Sequence, residues 1–158
     1  MKIIYCCYGG AHSSPIAAAI HLGYLSTTKC PTREELWRLP YFDKTDGRDR
    51  GNVMFVGIDG DGHEVYICGR GREKLGIEQA IRSGIRLACG SQEDILFVDT
   101  LSAVNLWMRI GGYLSRQWKV TQVGRPIVIF GSQMAFFNLV EIVNQAKQSV
   151  QFMISTKS

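Results

Sequence analysis

Apolar and polar positions along this chain change period several times, and each change predicts an element. Lys2 to Tyr8 is an unbroken run of β-branched, aromatic and cysteine residues stopped by Gly9-Gly10, the pattern of a short buried strand entering a tight loop. Beyond it, Ser14 suits an N-cap and Pro15 the first helical position, where a missing N–H costs nothing. Ala17 to Ala19 then propagate a helix to Gly23. Residues 26–51 are dense in turn formers around one short amphipathic piece, Glu34 to Leu39. Asn52 to Ile58 and Glu64 to Cys68 are strand-like and Asp59-Gly60-Asp61-Gly62 between them is turn chemistry, so the pair predicts an antiparallel hairpin.

Gly69 to Arg72 leads into a helix over about Glu73 to Ala88, with Ile77, Ala80, Ile81, Ile85 and Leu87 spaced to share one face. Ile95 to Val98 is the next strand, and Asp99-Thr100-Leu101-Ser102 offers a cap for a helix reaching about Trp118. Ile127 to Phe130 is expected as a last strand before Gly131-Ser132-Gln133 and a C-terminal helix. Trp107, Met108, Phe136, Phe137 and Val140 fall at helical apolar positions and are assigned to the core. Strands alternating with helices predict an α/β fold: a three-layer sandwich with a mostly parallel, Rossmann-like sheet and one antiparallel hairpin strand.

Composition narrows the class without changing this picture. With 158 residues, 46% hydrophobic and 20% charged, one domain over 1–158 is expected, and disorder is not. Five cysteines without framework spacing fit reduced thiols, and the apolar N-terminal run is too short for a secretion signal or a span. A cytoplasmic protein without a membrane partner is therefore expected. The net charge of +4 is scattered, as in the stretch from Asp43 to Arg50, which reads as a solvated loop. No basic stripe with interleaved aromatics appears, so nucleic acid is not an expected partner.

In parallel α/β sheets ligands bind beyond the carboxyl ends of the strands. Gly9 to Ser14, Gly69 to Arg72, Asp99-Thr100 and Gly131 to Gln133 follow the four expected parallel strands and should meet there. A glycine-rich turn that opens a helix aims unpaired N–H groups and the positive helix end at one point, where an anion fits. Gly9, Gly10, Ala11, His12, Ser13 and Ser14 form that turn, and Arg70, Arg72 and Ser132 are the residues expected to complete the anion site. The alternative is a tight turn without a ligand, in a structural or interaction module.

Cys7, His12 and Asp99 are the candidate catalytic groups: a thiol at a helix N-terminus, an imidazole that could act as acid or base near neutral pH, and a carboxylate that is a general acid, a magnesium ligand or a helix cap. His21 and His63 read as structural, and Asp59 and Asp61 as turn residues without the later ligands of a calcium loop. Adjacent Cys6 and Cys7 chelate poorly and no Cys-x-x-Cys pair exists, so no metal site is expected and no cofactor is specified. The expected partner is a phosphate-bearing small molecule or a nucleotide.

The segment from Cys7 to Ala17, CYGGAHSSPIA, resembles the phosphate loop of low-molecular-weight protein tyrosine phosphatases and related arsenate reductases. In that family a nucleophilic cysteine ends the first strand, an arginine after five intervening residues clamps the phosphate, and Ser-Pro-Ile-Ala opens the helix. The resemblance places Cys7 at the nucleophile, Gly9 at the loop glycine and Ser14-Pro15 at the helix start, whereas Ser13 stands where the arginine belongs. Serine makes no bidentate contact with a phosphoryl group, which turns the expectation from hydrolysis toward binding. A nucleotide P-loop is a weaker likeness, since His12-Ser13-Ser14 replaces its Gly-Lys-Ser. The opening IIYCCYGGAHSSPIAAAIHLGYL, with FVGIDGDGHEVYICGRG, is also similar to an uncharacterised bacterial family found mainly in spore-forming Gram-positive organisms.

Overall fold

A computed structural model describes residues 1–45, 47–89, 95–116 and 121–156. The first strand, β1 (Lys2–Cys7), lies inside a four-stranded sheet of order β2-β3-β1-β4, with β2 (Val53–Ile58), β3 (Glu64–Gly69) and β4 (Ile95–Asp99). β1 runs parallel to β3 and β4, with Cys7 opposite Gly69 and Cys6 opposite Asp99, and β2 pairs antiparallel with β3. The expected α/β sandwich and hairpin are therefore present.

Side chains alternate across a strand, and β1 uses both faces. Ile3 and Tyr5 enter a core with α1 (Ser13–His21), α2 (Arg33–Arg38) and α5 (Thr121–Ser155). Ile4 and Cys6 meet Cys68, Ile95 and the apolar edge of α3 (Lys74–Cys89) on the other side. Every residue of α1 is buried. Its run of small Ala17, Ala18 and Ala19 lets α5 and the sheet approach closely. In α3 the shared face is narrower than the sequence suggests: Ile77, Ile81 and Ile85 pack inward, whereas Ala80 and Leu87 are exposed.

The expected strand Ile127 to Phe130 is instead part of α5, a helix of 35 residues with Pro126 inside it. Four β-branched and aromatic residues between Pro126 and Gly131 favour a strand locally, but α4 (Leu106–Arg116) packs along this stretch. A Cβ on Gly111 would stand 2.5 Å from Val128 N, and one on Gly131 2.5 Å from Met108 N, so the two backbones touch through glycines. Asn105 reinforces the crossing, donating to Gly131 O at 2.7 Å and accepting from Met108 N–H at 2.9 Å as the cap of α4. Asp99 accepts from Leu101 N–H just ahead of the single turn Leu101–Ala103, whose N-cap is Thr100 without a side-chain capping bond, and the long helix expected from this stretch does not start there. The expected end of that helix near Trp118 lies outside the described residues. Of the assigned core aromatics, Phe136 is buried with Met108, while Trp107 and Phe137 are exposed.

Candidate functional site

β1 stops at Cys7 because Gly10 takes a left-handed backbone, φ 70°, and turns the chain into α1. The turn is wedged against the end of β3. A Cβ on Gly69 would stand 2.7 Å from the Gly9 carbonyl carbon, so a glycine is required there as well. Arg70 N–H donates to Cys7 O and Gly71 N–H to Tyr8 O, and Thr100 N–H donates to Cys6 O. Three of the four segments expected to converge do so. The fourth does not: Gly131-Ser132-Gln133 lies within α5, and the Ser132 hydroxyl donates to Val128 O inside that helix.

The Cys7 thiol is 4% exposed and sits inside the turn, accepting from Gly10 N–H at 3.0 Å and lying 3.1 Å from the Ser14 hydroxyl. Ser14 is thus not the helix cap. The N-cap is His12, whose side chain makes no capping bond, and no acidic residue stands in the first turn. The Ser13 hydroxyl meets Thr100 Oγ1 at 2.9 Å, and Thr100 donates on to Cys6 O. Gly9 and Ala11 are joined to a second segment, Tyr41 to Thr45, which straps the turn: Asp43 N–H donates to Ala11 O and Thr45 Oγ1 to Gly9 O.

That strap carries residues expected to lie in a solvated loop. Asp43 and Thr45 are buried, and Asp43 has a left-handed backbone, φ 53°, which a non-glycine residue adopts at a cost. The Asp43 carboxylate lies 3.1 Å from His12 Nε2 and 3.4 Å from Arg125 Nε. Arg125 in turn stacks over Trp37, its guanidinium carbon 4.7 Å from the ring centre. Gly112 of α4 leaves room for the imidazole, since a Cβ there would stand 3.1 Å from His12 Cε1. At the rim, exposed Arg50 stacks over Tyr8 at 4.9 Å. Asp43 and Arg50 fall in the stretch expected as a solvated loop and Arg125 in no candidate set; an acidic residue among turn formers gives no sign that it will be buried.

Arg70 and Asp99 lie on the other face of the sheet. Two-residue alternation sets Arg70 with Cys68, and register sets Asp99 with Cys6, so both point away from Cys7. The Arg70 guanidinium, 3% exposed, pairs with Glu78 and lies 3.1 Å from Asp99. Burial acts to raise the Asp99 carboxyl, but hydrogen bonds from Lys74 at 2.6 Å and Leu101 N–H, with the Arg70 charge, outweigh it and hold the carboxyl below its ordinary range. That direction is the opposite of the raised value a general acid needs. Arg72 is exposed in the turn that follows.

A second buried chain joins Tyr5, His21 and Asp59. Tyr5 O–H lies 2.7 Å from His21 Nδ1, and His21 Nε2 lies 2.9 Å from Asp59. Burial pushes the His21 imidazole below its ordinary value despite the Asp59 hydrogen bond, so the neutral ring accepts from Tyr5 and donates to Asp59. Burial, with the charge of Asp59, drives the Tyr5 hydroxyl up. Asp59, Asp61 and His63 bring one ligand atom each within 4.8 Å of one another. The Asp59 oxygens are already taken by His21 and by the N–H groups of Asp61 and His63, which makes this cluster the hairpin turn. Two shallow depressions, about 230 Å³ beside Trp37 and about 250 Å³ beside Asn138, lie away from Cys7.

Fold and turn together define an α/β protein with a four-stranded mixed sheet and a glycine turn closed around a strand-end thiol. The chain belongs to the family described as a protein of unknown function (DUF3189), which matches residues 2–148. No curated protein and no solved structure matches it.

Proposed function

We propose that the chain binds an anion, a phosphate group or a phosphorylated small molecule, at the turn from Cys7 to Ser14. The observation that carries this reading is the first turn of α1, which has neither a capping side chain nor an acidic residue. Pro15 has no N–H and the Ile16 N–H donates to His12 O, so the Ser13 and Ser14 N–H groups are what this turn offers, and the positive end of the helix dipole adds to them. An anion can accept from both at once. Gly9 and Gly10 allow the approach, Ser14 adds a hydroxyl, and His12 and Arg50 supply donors at the rim. The Asp43 carboxylate contacts His12 and Arg125 in the closed strap, so an entering anion competes with it for their donors.

The likeness to the phosphatase loop adds a thiol in the nucleophile position, but not the clamp. Ser13 is 1% exposed and turned to Thr100, and Arg70 is held by carboxylates on the opposite face. Transition-state charge then lacks the bidentate guanidinium that stabilises it, which favours binding over turnover. A degenerate nucleotide loop would need Arg70, Arg72 or His12 to supply the missing lysine's charge, but Arg70 is held by carboxylates on the opposite face and His12 faces Asp43, so no observation favours it. Titration calorimetry of inorganic phosphate into the full chain tests the proposal, with saturable one-to-one binding expected. Release of an aryl alcohol from its phosphate faster than by Cys7→Ser would shift the reading to catalysis.

A further inference from the structure

Helix α5 is long and apolar enough to cross a membrane by length and composition, but half of its most apolar window is buried inside the protein. The buried half, including Val128, Phe136, Leu139 and Val143, belongs to the main core. The other half has no cover among the described residues. Val123, Phe130, Met134 and Phe137 are 52, 53, 57 and 55% exposed, and with half-buried Ile127 they recur at alternating steps of four and three. On α4, Leu106, Ile110 and Tyr113 repeat the same four-three step and are also exposed. Trp107 joins the two stripes through an edge-on contact with Phe130, ring centres 6.0 Å apart.

Steps of four and three are the seam of helices packed knobs-into-holes. The close backbone approach of α4 and α5 is made through Gly111, Val128, Met108 and Gly131, and of the exposed row Phe130 is touched across it by Trp107. Two antiparallel helices that each expose an apolar row of this spacing are half of a four-helix bundle. We propose that this face is a homodimer interface, in which the α4–α5 pair of one copy packs on that of a second.

Area and composition both fit a second copy. At about 200 Å² for a large side chain, these eight half-exposed residues offer on the order of 800 Å², the share of one partner in an interface of standard size. Trp, Tyr, Phe and Met are the residue types that interface cores favour, and from Thr100 to Val140 the chain has no carboxylate to bury. A twofold axis pairs the seam with itself, as self-complementary patches require. A lipid surface also accepts aromatic side chains but imposes no register, so the regular four-three spacing favours helices as the partner. The same two helices touch the turn through Gly112 at His12 and Arg125 at Asp43, so pairing them braces the candidate site.

Sedimentation equilibrium of the full chain at about 1–50 µM, a range that reveals interfaces of ordinary strength, tests this. Twice the chain mass of 17.7 kDa is expected. Phe130→Glu combined with Met134→Glu should return the single-chain mass with an unchanged far-ultraviolet spectrum, because both side chains are more than half exposed in the protomer. Leu106→Glu, on the other helix, should do the same. Single-chain mass for the wild type throughout, or a dimer that survives all three substitutions, overturns the proposal. So does a single-chain protein that co-floats with phosphatidylglycerol vesicles, which would give the face to a membrane.

Discussion

Nε2 of His12 lies 3.1 Å from the carboxylate of Asp43, a residue thirty-one positions further along whose backbone is left-handed at φ 53°. This contact ties the glycine turn to its strap and, through Arg125, to α5. Asp43→Asn keeps a residue that tolerates the left-handed region and removes the charge. It should cost about 1–3 kcal/mol in urea unfolding, because a charged hydrogen-bond partner is lost. Asp43→Ala adds backbone strain of about 1 kcal/mol more. If the carboxylate competes with an incoming anion, Asp43→Asn should also bind phosphate more tightly than the wild type. Weaker binding would mean that Asp43 helps to hold the anion's donors in place.

Gly69 gives a steric test of the same turn. Its added Cβ would stand 2.7 Å from Gly9 C and 3.0 Å from Gly10 N, both backbone atoms that have no room to yield. Gly69→Ala should lose about 1–3 kcal/mol, as overpacked sites do, and lose phosphate binding with it. Gly76→Ala is the control: the position lies in α3 with nothing within 4 Å, and replacing a helical glycine there should gain up to about 1 kcal/mol.

Buried His21 sets a pH dependence. Its folded-state value lies below the ordinary 6.5, so the unfolded chain takes up the proton first as pH falls. The stability it contributes is complete above about 6.5 and declines on acidification below that value. Asp59 is also lowered: burial opposes its ionisation, but hydrogen bonds with His21 and from the His63 and Asp61 N–H groups prevail. Its contribution therefore fades only in the carboxylate range. Urea midpoints measured across pH should fall in two stages for the wild type, and His21→Gln should abolish the first. A first stage that persists in His21→Gln would assign it to another group.

Much of the fold could be read from local pattern, and the exceptions have physical causes. β1, the hairpin around Asp59 to Gly62 and the inward edge of α3 follow from burial period and turn chemistry, which act over a few residues. The stretch Ile127 to Phe130 carries equally strong strand propensity and became helix because glycines at 111 and 131 admit α4 against it, a contact made across the helix pair. The turn was visible as Gly9-Gly10 before Ser13-Ser14-Pro15. Its partners were not, since Asp43 arrives by a strap whose burial no local pattern encodes. The separation of Arg70 and Asp99 from Cys7 was legible in principle: parity along paired strands puts them opposite, provided the register is known.

Arg50 is the exposed cation stacked on Tyr8 at the rim. Arg50→Ala should weaken phosphate binding about three- to tenfold at low salt, the effect of one solvent-exposed charge, and less as ionic strength rises. An equal loss at every salt concentration would point to displacement of Tyr8 rather than to the charge itself.

Thermal unfolding of the full chain with inorganic phosphate, against chloride at equal ionic strength, tests the anion site most directly. At a phosphate concentration near one hundred times its Kd, binding to the folded chain contributes about 2.7 kcal/mol, raising Tm by about 5–10 °C for a protein of this size. The predicted result is a saturable rise in the wild type that is absent from Gly69→Ala. Superimposable unfolding curves in phosphate and chloride up to millimolar concentrations would contradict anion binding at Cys7 to Ser14.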